Sequence, residues 1–243
     1  MPMHISDTPQ LTSQQLAVWI SQKIQEKAAR HGSFTWALSG GSTPKMLYEI
    51  LAAEPYKSQI PWKQVHLFWG DERFVPFEDP RNNARMAFDT LIDQVNVPSS
   101  QIHVMRTDLS PEDAVENYTQ ILHRYFPAQG ATFDLTLLGM GDDGHTLSLF
   151  PGQPIVHETT AWVSAYFLKA QDMYRITLTA PLVNRSAHIV FLVCGSSKAA
   201  ALKQVLEGPF APDTYPSQII RPLHGQLNWF LDRAASVSLS KAF

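Results

Sequence analysis

Segments with the apolar pattern of a β-strand alternate along the chain with segments whose apolar residues have helical spacing. Apolar runs typical of buried β-strands occur at Ser33 to Leu38, at the start of VHLFWGDERFV, at Gln101 to Met105, at Leu135 to Leu138 and in HIVFLVCG. Between them lie segments with helical spacing of apolar residues, and several begin at capping residues such as Ser110. These predicted helices are LTSQQLAVWISQKIQEKAAR, the helix opened by SGGSTPKMLYEILAAEP, NNARMAFDTLIDQV, SPEDAVENYTQILHRYF and SSKAAALKQVLEG.

Strands that alternate with helices predict an α/β fold, an open, mostly parallel, doubly wound sheet with helices on both faces. Residues 161–179 break the alternation, because AWVSAYF and YRITLTAPLVN are extended runs with no helix between them. They predict a small antiparallel excursion. The tail LNWFLDRAAS is interpreted as a closing helix. No linker or repeat divides the chain, so we expect one α/β domain over residues 1–243.

Composition narrows the class of protein. The 243 residues carry a formal net charge of -3, so no nucleic-acid partner is expected. The chain shows neither a signal-peptide pattern nor a run of the roughly 18 apolar residues that spans a membrane. Its one cysteine, Cys194, cannot form an internal disulfide and is expected to be buried. We therefore predict a cytoplasmic protein in a reducing compartment.

Four loops follow predicted strands and carry most of the chemistry. Because the carboxyl ends of parallel strands share one edge of a sheet, we expect these loops to form a composite site. They are Ser39 to Pro44, Gly70 to Phe77, Gly139 to Gly152 and Gly195 to Lys198.

The first loop, SGGSTP, has the features of a phosphate cradle. Gly40 and Gly41 allow close backbone approach, Ser42 and Thr43 offer hydroxyls, and a helix N-terminus follows. The GK[ST] ending of a nucleoside-triphosphate loop is missing. The alternative is an ordinary glycine turn with a capping hydroxyl.

Three cations lie near the same predicted edge. Lys198 falls in the first turn of a helix, where a cation is unfavourable unless an anion neutralises it. Arg73 in WGDERF and Arg175 in YRITLT are the other two. The alternatives to ligand binding are that Lys198 is simply solvated and that Arg73 pairs with Asp71 or Glu72.

The segment FDLTLLGMGDDGHTLSLFPG places His145 two residues after Asp143 in a glycine-rich turn. An imidazole can take a proton from water while a carboxylate orients it. The alternative is that His145 has a structural rather than a catalytic role. HExxH and paired cysteines are missing from the sequence, so no metal site is predicted, and Ser148 lacks the GxSxG setting of a nucleophile. The residues alone thus predict an α/β enzyme with histidine acid–base chemistry on a small phosphorylated molecule.

Six segments in order resemble the 6-phosphogluconolactonases of the glucosamine-6-phosphate isomerase/6-phosphogluconolactonase family. They are LSGGSTPKMLYEIL, FWGDERFVPFEDPRNNARMA, FDLTLLGMGDDGHTLSLFPG, RITLTAPLVN, FLVCGSSKAAAL and LHGQLNWFLDRAA. The SLFPG after DGH and the arginine of WGDER are similar to the lactonases rather than to the related deaminases. Asp142, Leu147 and the QDMY before RITLT depart from the family's pattern.

The resemblance implies hydrolysis of 6-phospho-D-glucono-1,5-lactone to 6-phosphogluconate in the oxidative pentose phosphate pathway, without metal or cofactor. It implies that His145 is the general base, that Asp143 supports it and that Arg73 binds substrate and stabilises the oxyanion. The implied phosphate and substrate contacts are Gly40, Gly41, Ser42, Thr43, Lys198, Asp71 and Arg175.

Two other functions stay open. One is an amino-sugar phosphate deaminase or isomerase on the same fold, and the other is a non-catalytic sugar-phosphate sensor. The expected partner is a phosphorylated sugar lactone, and the expected state is a monomer or a weak homodimer.

Overall fold

A seven-stranded sheet forms the centre of the protein in the computed structural model. The structure describes residues 2–240, so residues 1 and 241–243 of the predicted domain lie outside the described residues. The strands are β1 (Met3–Ser6), β2 (Phe34–Leu38), β3 (Val65–Trp69), β4 (Asp71–Arg73), β5 (Ile102–His103), β6 (Leu135–Leu138), β7 (Val163–Leu168), β8 (Met173–Leu178), β9 (His188–Val193) and β10 (Gln226–Asp232). The large sheet has the order β1-β10-β9-β6-β2-β3-β5, and every neighbouring pair in it is parallel. The other three strands form an antiparallel sheet in the order β4-β8-β7.

The helices cover both faces of the large sheet. They are α1 (Pro9–His31), α2 (Ser42–Leu51), α3 (Tyr56–Gln59), α4 (Asn83–Thr90), α5 (Pro111–Tyr125), α6 (Ala180–Val183), α7 (Ala199–Glu207) and α8 (Arg233–Ser236). The crossovers through α1 and α2 run toward the β5 edge, whereas the crossover through α7 runs toward the β1 edge. Because parallel crossovers are right-handed, opposite directions place α7 on the face opposite α1 and α2.

Local sequence explains where several elements begin and end. The Ser110 hydroxyl accepts a hydrogen bond from the Asp113 N–H at the start of α5, as its capping pattern predicts. Gly32 ends α1 in the left-handed region, at φ 79°. All four residues of β6 are buried, which is typical of a strand covered on both faces of a parallel sheet.

The predicted fold class is confirmed, but the predicted closing helix is wrong. LNWFLD belongs to β10, and only the four residues of α8 are helical. β10 pairs with β9 and with β1, a strand that the sequence pattern did not reveal. Its Trp, Phe and Leu side chains are buried between two neighbouring strands, where an apolar run is stable in extended form. The predicted strand YRITLTAPLVN ends at Leu178, and α6 follows with proline in its first turn.

Cys194 is only partly buried, where full burial was expected. Burial nevertheless raises the pKa of its thiol to about 12, so the thiol stays protonated at neutral pH. Among the helices of residues 2–240, none combines the length and apolar character needed to cross a membrane.

Leu137 tests the contribution of the central strand to stability. It lies fully buried in β6, so Leu137→Ala should lower the free energy of unfolding by about 2–5 kcal/mol through lost burial and a residual cavity. Urea unfolding followed by circular dichroism measures this. Val18→Ala, at a half-exposed position of α1, is the control and should change stability by less than about 0.5 kcal/mol. Equal effects of the two substitutions would contradict the assignment of β6 to the core.

Candidate active site

The four predicted loops meet at one cavity of about 230 Å³ beyond the carboxyl ends of β2, β3, β6 and β9. β2 and β6 are neighbours, and the chain leaves them in opposite directions, which opens a crevice between their loops. The lining residues are Ser39, Gly40, Gly41, Asp71, Arg73, Asn83, Gly139, Met140, Gly141, His145, Thr146, Leu147, Arg175 and Lys198.

His145 and Asp143 form a bonded pair at the cavity. His145 Nδ1 lies 2.5 Å from Asp143 Oδ1, which also accepts the backbone N–H of His145 at 3.1 Å. Partial burial of Asp143 raises its pKa, but the bonds from His145 outweigh this effect and the pKa falls below its usual value. An ionised carboxylate can only accept, so Nδ1 carries a proton, and in the neutral imidazole Nε2 is the nitrogen with the lone pair. The ring of His145 also stacks on Phe150, with centroids 4.0 Å apart.

The turn that carries this pair depends on a glycine. A Cβ at Gly141 would lie within 3 Å of both the His145 ring and the Asp143 carboxylate, so a side chain at this position displaces the pair. Leu147, a departure from the family's pattern, adopts the left-handed region at φ 53° and lines the cavity. A bulky residue in that region stores strain of the order of 1–3 kcal/mol, which the surrounding packing maintains.

Arg73 reaches the cavity without a carboxylate partner. Its Nη1 donates to the carbonyl oxygen of Arg81 at 2.9 Å and to Asn83 Oδ1 at 2.8 Å, so the predicted alternative of a side-chain pair with Asp71 or Glu72 is wrong. Within residues 2–240, the N–H groups at Nε and Nη2 make no hydrogen bond. They are therefore available to an anionic ligand.

Asn83 is a residue of the site that sequence reasoning missed. It follows Asn82, which caps α4 by accepting the Arg85 N–H. The buried Asn83 donates from Nδ2 to the carbonyl oxygen of Asp71 at 3.0 Å. A Cβ at Gly40 would overlap the Asn83 amide, so the glycine allows this close approach. The only sequence signal for Asn83 is its place in the segment shared with the resembled family.

Asp71 and Arg175 form a buried ion pair at the cavity wall. Arg175 Nη2 donates to Asp71 Oδ2 at 2.9 Å, and Ser148 Oγ donates to the same oxygen at 2.7 Å. Arg175 Nε donates to Ser148 Oγ at 2.8 Å. The serine is fully buried, so its role is to join the two charged groups. The two charges neutralise each other, so Arg175 is less available to a ligand than Arg73.

The predicted phosphate contacts are only partly brought together. Gly40 and Gly41 line the cavity, and Gly41 precedes α2 at φ 103° with no side-chain cap. Ser42 is exposed and faces an adjoining cavity of about 360 Å³, which Gly41, Arg73 and Asn83 also line. Thr43 lines neither cavity. The backbone of the loop, rather than both hydroxyls, is thus what this cavity presents.

Lys198 lines the cavity and is ion-paired. Its Nζ lies 2.5 Å from Asp142 Oδ1, which accepts the Ser197 hydroxyl at 3.1 Å. The hydrogen bond and charge of Lys198 lower the pKa of Asp142. Asp142 therefore has a partner, although the sequence assigned it none. In the part of the chain that the structure describes, no group of three or more His, Cys, Asp and Glu residues is placed to hold a metal ion.

The His145–Asp143 bond predicts a change in carboxyl titration. In His145→Ala the desolvation of Asp143 and its bond from the backbone N–H remain, while its hydrogen bond from the imidazole disappears, so the pKa of Asp143 should rise. Carboxyl carbon shifts followed by NMR across acidic pH measure it. The pKa of Asp108, lowered by Arg106 outside this cavity, should stay the same. An unchanged pKa of Asp143 would contradict the pair.

Comparison with known proteins identifies the family. The profile of the family described as glucosamine-6-phosphate isomerases/6-phosphogluconolactonase matches residues 7–229. A protein of Synechocystis named 6-phosphogluconolactonase is 40% identical over 234 residues, which cover 95% of each chain. The solved structure of 6-phosphogluconolactonase from Trypanosoma brucei has a TM-score of 0.88, with 26% identity and 98% of each chain covered.

A monomeric glucosamine-6-phosphate deaminase of known structure also superposes on the fold. Its TM-score is 0.84 at 21% identity, with 98% of this chain and 100% of that chain covered. At this identity the likeness concerns the fold alone. The family profile spans most of the sequence, and the chain belongs to the glucosamine-6-phosphate isomerase/6-phosphogluconolactonase family.

Proposed function

We propose that the protein hydrolyses 6-phospho-D-glucono-1,5-lactone to 6-phosphogluconate, the lactonase step of the oxidative pentose phosphate pathway. The names of its relatives support this class of reaction. The observation that carries the proposal is the His145–Asp143 pair in one cavity with the unpaired side of the Arg73 guanidinium. A base and an oxyanion donor on opposite sides of an ester carbonyl are what lactone hydrolysis requires.

His145 acts first as a base. Nε2 removes a proton from water while the water oxygen bonds to C1 of the lactone, and Asp143 stabilises the resulting imidazolium. The carbonyl electron pair moves to oxygen, and Arg73 stabilises this oxyanion. When the carbonyl reforms, the bond from C1 to the ring oxygen breaks, and His145 returns its proton to that oxygen. The product is a hydroxy acid, which ionises, and the enzyme is regenerated.

The phosphate group lies at the other end of the substrate. The Gly40–Gly41 loop, the uncapped N-terminus of α2 and Lys198 supply its partners in this proposal. Asp71 and Arg175, which neutralise each other, shape the sugar side of the cavity. A lactone is already activated, so one base, worth about 10²–10⁴ in rate, together with oxyanion stabilisation is sufficient chemistry.

His145→Asn tests the base. The amide nitrogen of asparagine can replace Nδ1 as a donor to Asp143, but no atom replaces Nε2. We therefore expect kcat to fall by about 10²–10⁴ with little change in KM. Lactone consumption is followed at mildly acidic pH, where the spontaneous reaction is slow.

The matched control for this test is His157→Ala. His157 forms an exposed pair with Asp213, 2.7 Å from Nε2 to Oδ1, outside the cavity, and its loss should leave kcat unchanged. Full activity of His145→Asn would overturn the assigned base. Wild-type protein that does not exceed the blank would overturn the lactonase. Ammonia release from glucosamine 6-phosphate would then indicate a deaminase, and 6-phosphogluconate binding without turnover would indicate a sensor.

Lys198→Met tests the phosphate contact. Losing a charged hydrogen bond, worth at most about 1.5–3 kcal/mol because Asp142 competes for the lysine, should raise KM for the phosphorylated lactone by up to about 10–100-fold. The value of kcat/KM for unphosphorylated glucono-1,5-lactone should stay the same. Lys203→Met, in α7 and away from the cavity, is the matched control. An equal loss on both substrates would show that Lys198 does not contact phosphate.

A further inference from the structure

Glu72 is a buried carboxylate that the proposed reaction does not use. It lies between Asp71 and Arg73 in β4 and is 1% exposed. Burial is its dominant influence and raises the pKa of its carboxyl group to about 7. A carboxylate in such a position destabilises the fold unless it has strong partners. Its partners indicate what it does.

Three backbone N–H groups donate to the Glu72 carboxylate. Oε1 accepts the N–H of Arg73 at 2.8 Å and that of Asn83 at 2.7 Å, and Oε2 accepts the N–H of Ala84 at 2.8 Å. The last two are otherwise unsatisfied donors in the first turn of α4, where a negative charge also interacts favourably with the helix dipole. One side chain thus joins strand β4 to the start of α4.

We propose that Glu72 is a positioning residue that holds Arg73 and Asn83 in register, so that the Arg73 guanidinium faces the substrate. The inference rests on the proposed lactonase function. Glu72 binds the backbones of the same two residues whose side chains bond to each other, Arg73 Nη1 to Asn83 Oδ1 at 2.8 Å. With both backbones held, the bonds of Nη1 to Asn83 and to the carbonyl of Arg81 fix the guanidinium plane and leave Nε and Nη2 for the oxyanion.

The arrangement also reaches the phosphate loop. Asn83 packs against Gly40 so closely that a Cβ there would overlap its amide. A shift in the start of α4 therefore moves both the oxyanion donor and a wall of the Gly40–Gly41 loop. Displacement of this kind, by about 1 Å, can reduce a rate by about 10²-fold without removing any group that touches substrate.

The test is a double-mutant cycle with Glu72→Gln and Arg73→Met. Glutamine keeps one acceptor oxygen but turns an amide N–H₂ toward the backbone donors. We expect Glu72→Gln to lower kcat about 10–100-fold while the protein stays folded by circular dichroism. Because Glu72 acts on kcat through Arg73, the kcat of the double variant should be no lower than that of Arg73→Met alone, whereas the shift of the Gly40–Gly41 wall should appear in KM. Losses that multiply, or an unchanged kcat in Glu72→Gln, would overturn the proposal.

Two further variants separate positioning from folding. Glu72→Asp keeps the charge, so its kcat should lie between those of Glu72→Gln and wild type. It takes the place of Glu72→Gln in the cycle if the Glu72→Gln protein does not fold. Asp134→Asn is the matched control, since Asp134 accepts the Thr35 N–H at 2.9 Å and the Thr35 hydroxyl at 3.0 Å at the opposite end of β2. It should leave kcat and KM unchanged. An equal loss in Asp134→Asn would show that any partly buried carboxylate bonded to a backbone N–H has this effect.

The positioning role of Glu72 can be tested whether or not the lactone is the substrate. If wild-type protein does not hydrolyse the lactone, the proposed function fails, and the same cycle is measured as 6-phosphogluconate affinity by titration calorimetry. A loss of affinity that is non-additive between Glu72→Gln and Arg73→Met supports the positioning role. Additive losses, or absence of any effect of Glu72→Gln on affinity, contradict it.

Discussion

Parallel pairing of β2 with β6 is the constraint on which the site depends. Trp36 lies opposite Leu135 and Ala37 opposite Thr136, so both strands end at the same level and their loops emerge side by side. Because the chain then runs toward opposite edges of the sheet, a crevice opens between the two loops. Backbone pairing within the sheet thus creates a polar opening above it, and the loops after β3 and β9 complete its wall.

Four acidic side chains near this opening have different partners, and the partners determine their chemistry. Asp143 accepts from an imidazole and fixes its tautomer, whereas Asp71 is neutralised by an arginine in a buried pair. Glu72 binds three backbone N–H groups, and Asp142 holds a lysine at the rim. Identical functional groups therefore supply orientation, charge balance and backbone positioning. Their geometry, rather than their number, makes the cavity suitable for acid–base chemistry on an anionic ligand.

Sequence reasoning succeeds where the deciding interaction is local. The strand Leu135 to Leu138 and the His145–Asp143 turn follow from residues a few positions apart. It fails where partners are distant in the chain: Asn83 and Ser148 gain their roles from Arg73 and Asp71, ten and 77 residues away. The closing helix is wrong for the same reason, since β10 is extended because β1 and β9 lie on either side of it.

The ion pair between Lys198 and Asp142 changes the energetics of the proposed phosphate contact at the rim of the cavity. Before any ligand arrives, the lysine already holds an anion at 2.5 Å, so a phosphate that binds there replaces one negative partner with another. The free energy gained is then a difference between two ionic contacts rather than the full attraction of a solvated cation. In the proposed function, the site would therefore discriminate by charge density: a dianion is expected to compete for the lysine, whereas a neutral sugar would leave it bound to its own carboxylate.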